Sequence, residues 1–250
     1  MQPADMCAVA VMAKAPCAGQ VKTRLCPPLT PEAATRMSAA FLRDITTNVA
    51  LAGREVPVHG FVAYAPAGME ARFDGILAPG TRLVLADGAG TAPGVTGFGR
   101  CLLQATEQLF AQGYGFACVL NADSPTLPTS VLVELARLLA APGDRCVLGA
   151  AEDGGYYALG MKRAHARLFA DIDWSTGRVA EQTRARARGL CLDLVELPVW
   201  YDVDDRAALG RLVGELSGAR RDDGLVPYAA PATAACVRAL DLPGLLAAAA

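Results

Sequence analysis

The chain has 250 residues, 53% of them hydrophobic and 19% charged, with 23 Lys plus Arg against 25 Asp plus Glu. A chain of this length and apolar content buries a sizeable core, which excludes a disordered protein. The formal net charge of −2 excludes the broad basic surface of a general nucleic-acid-binding protein. Only three of the cations are lysines, and two of them, Lys14 and Lys22, lie within nine residues of each other.

The spacing of the cysteines and the length of the apolar stretches near the two ends indicate the cellular compartment of the protein. The eight cysteines form no CxxC pair and no cluster with metal-ligand spacing. The apolar stretches at 7–13 and 245–250 are too short for a secretion signal or a membrane span. We therefore expect reduced cysteines and a soluble, cytoplasmic protein with no membrane partner. Four of the cysteines lie in apolar runs, where a thiol behaves as a small hydrophobe: Cys7, Cys118, Cys146 and Cys191.

Strand and helix patterns alternate along the chain. Apolar runs predict strands at 7–13, 56–64, 82–86, 116–121, 145–150, 156–159 and 191–197. Amphipathic segments with capping residues predict helices at 31–51, 100–111, 129–140, 176–188, 204–216 and 232–246. This alternation predicts an α/β fold with a mostly parallel sheet and helices on both faces.

The composition changes near residue 220. Segment 220–231 is polar and interrupted by Pro and Gly, so we expect one domain over 1–219 and a C-terminal extension over 220–250 that packs on it as one helix. In open α/β sheets, ligands bind beyond the carboxyl ends of the strands. This rule directs attention to the loops that follow Ala13, Asn121 and Val199.

The loop after the first strand is rich in cations. Segment 13–25 (AKAPCAGQVKTRL) contains Lys14, Lys22 and Arg24 together with a Gly and a Thr. Such a loop can present fixed cations and backbone N–H groups to phosphate oxygens, although its spacing is neither that of a Walker loop nor GxGxxG. A solvated basic loop is the alternative. The position at a strand end and the concentration of lysines favour phosphate binding.

Two acidic motifs follow later strands. Asp123, in NADSPTLP, lies where its carboxylate can hold a divalent cation against phosphate oxygens, or can cap the next helix. Asp202 and Asp204, in WYDVDD, follow the last predicted strand. A second metal carboxylate at this position would complete a site with Asp123. The alternative is that Asp204 caps the helix that follows and its neighbours are solvated.

Two further motifs combine polar and aromatic residues. Segment 152–157 (EDGGYY) is either a substrate-contacting turn or a hairpin turn, since Asp-Gly is a common hairpin signal. Segment 174–176 (WST) either contacts an acceptor or is explained by a buried Trp and a helix-capping Thr.

Taken together and in order, AKAPCAGQVKTRL, NADSPTLP, EDGGYYALG, WSTGRVAEQT and YDVDD resemble the DUF2064 family, described as radical-SAM/selenodomain-associated transferases. The resemblance covers residues 7–215 and implies the GT-A-like (Rossmann-like) fold of the nucleotide-diphospho-sugar transferases. The KTRL run also looks like the corresponding loop of the phospholactate guanylyltransferases of cofactor F420 synthesis. Two positions depart from the family pattern. Asn121-Ala122 stands where two adjacent acids are frequent, and Phe98-Gly99-Arg100-Cys101 replaces a leucine-glycine-acid-arginine sequence.

The motifs and the resemblance together predict four sets of residues. The nucleotide-binding set is Lys14, Ala15, Pro16, Gly19, Lys22, Thr23, Arg24 and Arg100. The substrate-binding set is Asp153, Gly154, Gly155, Tyr156, Trp174, Ser175 and Thr176. The metal ligands are Asp123, Asp202 and Asp204, and the catalytic residues are Lys22, Arg24 and Asp123.

These assignments predict a metal-dependent transferase that uses a nucleotide-activated donor. Nucleotidyl transfer needs positioning and charge neutralisation more than acid–base chemistry, and neither of the two histidines, His59 and His165, lies in a motif. We expect transfer from an NTP to a small phosphorylated or phosphonate acceptor, with Mg²⁺ or Mn²⁺ as cofactor and release of pyrophosphate. Glycosyl transfer from a nucleotide-diphospho-sugar, with Glu152 or Asp153 as base, is the alternative in the same fold. A catalytically silent nucleotide-binding module is the alternative of another class. The sequence leaves open which nucleobase the donor carries and which molecule is the acceptor. It also leaves open the oligomeric state, for which a homodimer is one possibility.

Overall fold

A computed structural model describes residues 2–90, 92–219 and 222–248. Within these ranges seven strands form one sheet. In chain order they are β1 (Cys7–Lys14), β2 (Val58–Ala65), β3 (Arg82–Leu85), β4 (Phe116–Leu120), β5 (Arg145–Ala151), β6 (Tyr156–Met161) and β7 (Asp193–Trp200). Their order across the sheet is β3-β2-β1-β4-β6-β5-β7.

The sheet is parallel except at β6, which runs antiparallel to both of its neighbours, β4 and β5. The prediction of a mostly parallel sheet is therefore confirmed. The reversal of β6 has a consequence for the site. Tyr156, the first residue of β6, lies at the same edge of the sheet at which β1, β4, β5 and β7 end, here called the carboxyl edge.

Helices cover both faces of the sheet. The long helices are α1 (Pro31–Ala52), α2 (Phe98–Ala111), α3 (Thr129–Ala140), α4 (Val179–Gly189) and α5 (Arg206–Leu216), followed by the shorter α6 (Pro231–Ala239) and α7 (Leu242–Ala248). Val9 and Val11 of β1 pack in the core on the α1 and α3 side, whereas Ala8 and Ala10 pack on the α2 side. Burial on both faces explains why β1 is a continuous apolar run. None of the helices in the described ranges is both long enough and apolar enough to cross a membrane.

Two predicted boundaries around α4 are wrong, and backbone conformation explains both. Ser175 has a φ of +64°, and the Thr176 hydroxyl donates to Asp173 O at 2.7 Å, so residues 173–176 form a turn and Thr176 does not cap the helix. Cys191, with a φ of +54°, belongs to the turn that ends α4 and is exposed, so its assignment to a buried strand is wrong. The structure contains all eight cysteines as free thiols.

The C-terminal extension contains two short helices rather than the single predicted helix over 232–246. The chain breaks between them at Asp241, whose φ of +47° is incompatible with a continuous helix. The Asp44 carboxylate of α1, which is 1% exposed, accepts hydrogen bonds from Ala232 N at 3.0 Å and Thr233 N at 2.6 Å. A side chain of α1 therefore caps the first turn of α6.

Candidate active site

The ammonium group of Lys22 joins the first loop to two of the predicted acids. Its Nζ lies 2.6 Å from Asp123 Oδ1 and 3.0 Å from Asp204 Oδ1, and it donates to Val203 O at 2.7 Å. The Lys22 side chain is 6% exposed, whereas those of Asp123 and Asp204 are 34% and 36% exposed. Burial lowers the pKa of Lys22, but the two carboxylates raise it by more, so the net shift is upward. Lys22 is therefore held in its charged form.

The backbone of the first loop makes this contact possible. Lys22 adopts a left-handed conformation with a φ of +50°, which costs a residue with a side chain about 1–2 kcal/mol. The next turn, Thr23–Leu25, buries Leu25 completely, and Lys22 Nζ lies 5.2 Å from the centroid of the Phe41 ring. Packing on both sides of Lys22 thus maintains a conformation that the residue would not adopt by itself.

Asp204 is free to pair with Lys22 because the next residue, Asp205, caps helix α5. Asp205 Oδ1 accepts a hydrogen bond from Ala208 N at 2.8 Å, so Asp205 is the N-cap of α5 and the alternative role predicted for Asp204 is wrong. Arg24 Nη1 lies 3.9 Å from Asp204 Oδ2. Burial opposes the shift, but Lys22 and Arg24 hold the pKa of Asp204 below its ordinary value.

Asp123 is also free of a capping role, because α3 begins at Thr129 with Pro128 as its N-cap residue. The segment after β7 returns across the carboxyl edge to reach it. Val203 N donates to Asp123 O at 2.8 Å, and the Ser124 hydroxyl donates to Tyr201 O at 2.8 Å. These bonds attach an edge strand of the sheet to the end of β4 and bring Asp123 and Asp204 together.

Asp202 has a different environment from the other two acids. Burial, followed by the negative charges of Asp153, Asp204 and Asp123, raises the pKa of Asp202 to about 6. Asp202 thus experiences a surplus of negative charge. Across the described ranges, no three His, Cys, Asp or Glu side chains are grouped closely enough to hold a metal ion. Of the three predicted metal ligands, Asp123 and Asp204 both form an ion pair with Lys22 in the structure, and Asp202 is not part of these ion pairs.

A cavity of about 360 Å³, the large cavity, opens beside the Lys22 ion pairs. Its lining includes three cations of the first loop, Lys14, Lys22 and Arg24, together with Asp123 and Asp204. Thr23 also lines it. Four other residues of the predicted nucleotide-binding set do not: Ala15, Pro16, Gly19 and Arg100. Ala15 and Pro16 are buried, and Arg100 Nε donates to Val95 O at 3.3 Å.

A second cavity of about 140 Å³, the small chamber, adjoins the large one. The two share Met12, Phe98, Ala122 and Asp123 in their linings. The further lining residues of the small chamber are Leu102, Val119, Leu120, Asn121, Tyr156 and Tyr157.

Three aromatic rings meet beside the small chamber. The Trp174 ring packs edge-to-face against Phe98, with centroids 5.9 Å apart, and against Tyr156, with centroids 6.4 Å apart. Trp174 is brought there by a close backbone contact, because a Cβ at Gly154 would lie 2.1 Å from Gly177 O. Phe98, which is 49% exposed at the start of α2, is a residue of this site that its sequence context did not predict.

The remaining members of the predicted substrate-binding set line neither cavity: Asp153, Gly154, Gly155, Trp174, Ser175 and Thr176. Segment 152–155 is the turn between the antiparallel strands β5 and β6, so the hairpin alternative is confirmed. Asp153 Oδ1 accepts from Gly155 N at 2.8 Å within this turn. Glu152 Oε2 accepts from Arg211 Nη1 at 2.6 Å.

The fold is shared with solved structures described as nucleotide-diphospho-sugar and cytidylyl transferases, and the candidate site lies at the carboxyl edge of the sheet. A candidate nucleotide-diphospho-sugar transferase from Desulfovibrio desulfuricans G20 superposes with a TM-score of 0.78 at 24% identity, over 98% of this chain and 97% of that chain. A CMP:2-keto-3-deoxy-manno-octonic acid synthetase complexed with CTP superposes with a TM-score of 0.51 at 10% identity, over 85% and 98% of the two chains. A cytidylyltransferase from Leptospira borgpetersenii serovar Hardjo-bovis gives 0.51 at 11% identity, over 96% of each chain.

The sequence identifies the family within this fold. Residues 48–176 match the DUF2064 profile, described as "uncharacterized protein conserved in bacteria", over more than half of the chain. The chain belongs to the DUF2064 family. It matches no curated protein at a significant level.

Proposed function

We propose that the protein is a metal-dependent nucleotidyltransferase, which transfers a nucleotidyl group from an NTP to a small phosphorylated or phosphonate acceptor. The observation that carries this proposal is the large cavity, in which Lys14, Lys22 and Arg24 lie beside the Asp123–Asp204 pair. Three cations in one cavity suit the charge of a triphosphate better than that of a nucleotide-diphospho-sugar. The cavity also lies at the carboxyl edge, where ligands of open α/β sheets bind.

Asp123 and Asp204 are the residues that would hold the divalent cation. Mg²⁺ is commonly bound by one or two protein carboxylates, with phosphate oxygens and water completing its shell, so two carboxylates at the cavity suffice. The surplus of negative charge that raises the pKa of Asp202 also favours a dication here. When bound, the ion supplies charge neutralisation and orientation for the phosphates. Mn²⁺ accepts the same oxygen ligands.

The chain's own cations act on the transferred group. An oxygen of the acceptor phosphate or phosphonate forms a bond to the α-phosphorus, and the bond from that phosphorus to the bridging oxygen of pyrophosphate breaks. Arg24 stabilises the charge on the phosphates and on the leaving pyrophosphate, contributing about 2–4 kcal/mol, as single electrostatic donors do in other enzymes. The three ammonium protons of Lys22 are used on Asp123, Asp204 and Val203 O, so Lys22 acts on the phosphates through its positive charge and by holding the two carboxylates in place. A phosphate is largely ionised at neutral pH, since its second pKa is about 6, so its oxygen needs no general base.

The alternative of glycosyl transfer needs a base toward an acceptor hydroxyl. Glu152 and Asp153, the two acids considered for that role, are engaged with Arg211 and with the hairpin backbone, and neither lines a cavity. The geometry thus favours nucleotidyl transfer within this fold.

Product analysis by ³¹P NMR tests the proposal. Wild-type protein incubated with each NTP, Mg²⁺ and a panel of small organophosphates and phosphonates is expected to yield pyrophosphate and a nucleotidylated acceptor. Asp123→Asn is expected to abolish both products, whereas Asp74→Asn, at an exposed carboxylate outside the site, leaves them unchanged. Nucleoside diphosphate release from UDP- or GDP-sugars, without pyrophosphate from any NTP, would establish glycosyl transfer instead. No turnover of either donor would favour the silent binding module.

A further inference from the structure

We propose that the small chamber binds the tail of the acceptor, and that this tail is short, carries no negative charge and ends in a hydrogen-bond donor. The inference rests on the proposed function, because it takes the large cavity as the site of the NTP phosphates. It adds to that function the chemical class of the acceptor.

The position of the small chamber relates it to the reacting phosphates. Asp123 and Ala122 line both cavities, so the small chamber opens where the large cavity meets the end of β4. An acceptor phosphate that approaches the nucleotide beside Asp123 therefore has the small chamber next to it. The rest of the acceptor enters this space.

The volume of the small chamber limits the tail. At about 140 Å³, the small chamber has less than half the volume of the large cavity, which is about 360 Å³, so it accommodates a small part of a ligand. The small chamber thus suits a two- or three-carbon tail with one functional group.

A hydrogen-bond chain orients the Asn121 amide. The Ser124 hydroxyl gives its one proton to Tyr201 O at 2.8 Å, so its oxygen accepts from Asn121 Nδ2 at 3.1 Å. Asn121 Oδ1 is left as an acceptor, and it is buried without a partner among the described residues. A buried acceptor left unpaired is destabilising, so a ligand that reaches Oδ1 and donates to it removes this cost on binding.

A second polar atom of the same lining is also unsatisfied. The Tyr156 hydroxyl is buried without a partner within the described ranges. Because a phenol can both donate and accept, it can complete the hydrogen bonding of a hydroxyl or ammonium group placed at Asn121.

The charges of the lining exclude an anionic tail. Asp123 is the charged residue in the described lining of the small chamber, whereas Lys14, Lys22 and Arg24 line the large cavity. A carboxylate in the small chamber would face Asn121 Oδ1 and Asp123, whose charge Lys22 already neutralises, and the described lining of the small chamber offers it no Lys or Arg. A neutral or cationic donor meets no such penalty.

Calorimetric titration of phosphonates into the protein tests this inference, with Mg²⁺ and a non-hydrolysable NTP analogue present. The probes are 2-hydroxyethylphosphonate and 2-aminoethylphosphonate, which end in a donor, ethylphosphonate, which has none, and phosphonoacetate, which ends in a carboxylate. We expect both donor-tailed probes to bind at least tenfold more tightly than ethylphosphonate, and phosphonoacetate to bind most weakly.

Two variants connect this preference to the small chamber. Asn121→Leu is expected to reduce the difference between donor-tailed probes and ethylphosphonate to within about twofold. Tyr156→Phe keeps the ring and its packing, and is expected to reduce the preference several-fold even if Asn121→Leu does not fold. Tyr114→Phe is the matched control, because the Tyr114 hydroxyl bonds to His59 Nδ1 away from both cavities, and it should retain the full preference.

Three results would overturn the inference. One is equal binding of all four probes to the wild type, and another is a preference that survives in both Asn121→Leu and Tyr156→Phe. The third is weaker binding of the NTP analogue alone to Asn121→Leu, which would assign the small chamber to the nucleotide. A wild type that binds the NTP analogue but shows no preference overturns this inference and leaves the proposed function standing. Failure to bind any NTP analogue overturns both.

Discussion

Lys22 combines three properties that are each uncommon for a lysine: left-handed backbone, near-complete burial and two carboxylate partners. Lys22→Met leaves Asp123 and Asp204 beside each other without their shared cation. We expect the free energy of unfolding to fall by about 2 kcal/mol, less than for a fully buried pair because both carboxylates are a third exposed. Turnover should fall about 10²–10³-fold, which is the effect of losing one electrostatic donor.

Urea unfolding and the pyrophosphate assay measure these two effects. Lys162→Met is the matched control, since Lys162 Nζ donates to Ala141 O just beyond the end of α3 and lies outside both cavities. Its turnover should equal that of the wild type. A Lys22→Met protein with wild-type turnover would remove Lys22 from the mechanism.

Asp202 gives a pH dependence whose direction is fixed by its raised pKa. Its pKa of about 6 in the folded protein lies above the ordinary 3.8, so between these values the folded state binds the proton that the unfolded chain releases. This contribution to stability is present at low pH and is lost as the pH rises through about 6. Asp202→Asn should therefore stabilise the metal-free protein at pH 8 and change it little near pH 4.

Thermal unfolding in EDTA at the two pH values measures this difference. Asp74→Asn serves as the control because Asp74 is exposed and is not one of the acids that act on Asp202. Equal stabilisation by Asp202→Asn at both pH values would contradict the assigned environment.

Single residues of the site were predictable where a charged residue follows the end of a predicted strand. Lys22 and Asp123 follow predicted strands, and the structure joins them. Asp204 could not be separated from Asp205 by pattern, since either acid can cap a helix and only the register of α5 decides between them. Asn121 was not predicted to have a role, because its proposed role depends on the Ser124 proton, which bonds to Tyr201 O in the segment after β7, remote in sequence.

At the scale of elements, Gly154 in the hairpin between β5 and β6 packs closely against Gly177 and so holds Trp174 against Phe98 and Tyr156. Its φ is +87°, and a Cβ there would lie 2.1 Å from Gly177 O. Gly154→Ala should therefore displace segment 173–178, separate Trp174 from Phe98 and Tyr156, and change the Trp174 fluorescence. The stability loss should exceed the roughly 1–2 kcal/mol of an unfavourable φ alone.

Gly113→Ala is the matched control for that change. Gly113 has nearly the same φ, +86°, but a Cβ there meets nothing within 4 Å. It should show the backbone cost without the change in fluorescence. Equal stability losses in the two variants, with an unchanged spectrum in both, would mean that the contact at Gly177 does not position Trp174.

Asp44 is the residue that attaches the C-terminal helices to α1. Asp44→Ala removes the acceptor of both Ala232 N and Thr233 N, and should cost about 0.5–2 kcal/mol, as the loss of a helix cap does. Hydrogen exchange should accelerate at residues 232–239 before the sheet is affected. Asp44→Asn retains an acceptor oxygen and should show a smaller effect. Unchanged exchange in Asp44→Ala would contradict this attachment.

The elements themselves were predictable to different degrees. The predicted bounds of α3 agree with the structure because both its apolar stripe and its start signal are local. The predicted start of α4 was wrong, and so was the prediction of one helix where α6 and α7 are separate. Left-handed residues at Ser175 and Asp241 determine these two boundaries, and neither residue is a glycine. Left-handed conformations of Ser and Asp depend on surrounding contacts rather than on residue type.

At the scale of the whole molecule, alternating strands and helices were enough to predict the α/β class and the two covered faces. The strand order and the reversal of β6 were not predictable, since they depend on pairing between distant segments. That reversal places Tyr156 at the carboxyl edge, where it lines the small chamber together with Asp123. The net charge of −2 is likewise compatible with a local cluster of three cations at one cavity.

In the proposed function, the large cavity binds Mg²⁺ with an NTP through Lys22, Asp123 and Asp204. Thermal unfolding with each NTP and Mg²⁺ tests it most directly, because a ligand bound to the folded state at 100 times its Kd adds about 2.7 kcal/mol of stability. We predict that at least one NTP raises the Tm in the presence of Mg²⁺, and that Asp123→Asn and Lys22→Met lose this rise while Lys162→Met retains it. An unchanged Tm with every NTP, or an equal rise in all three variants, would contradict the account.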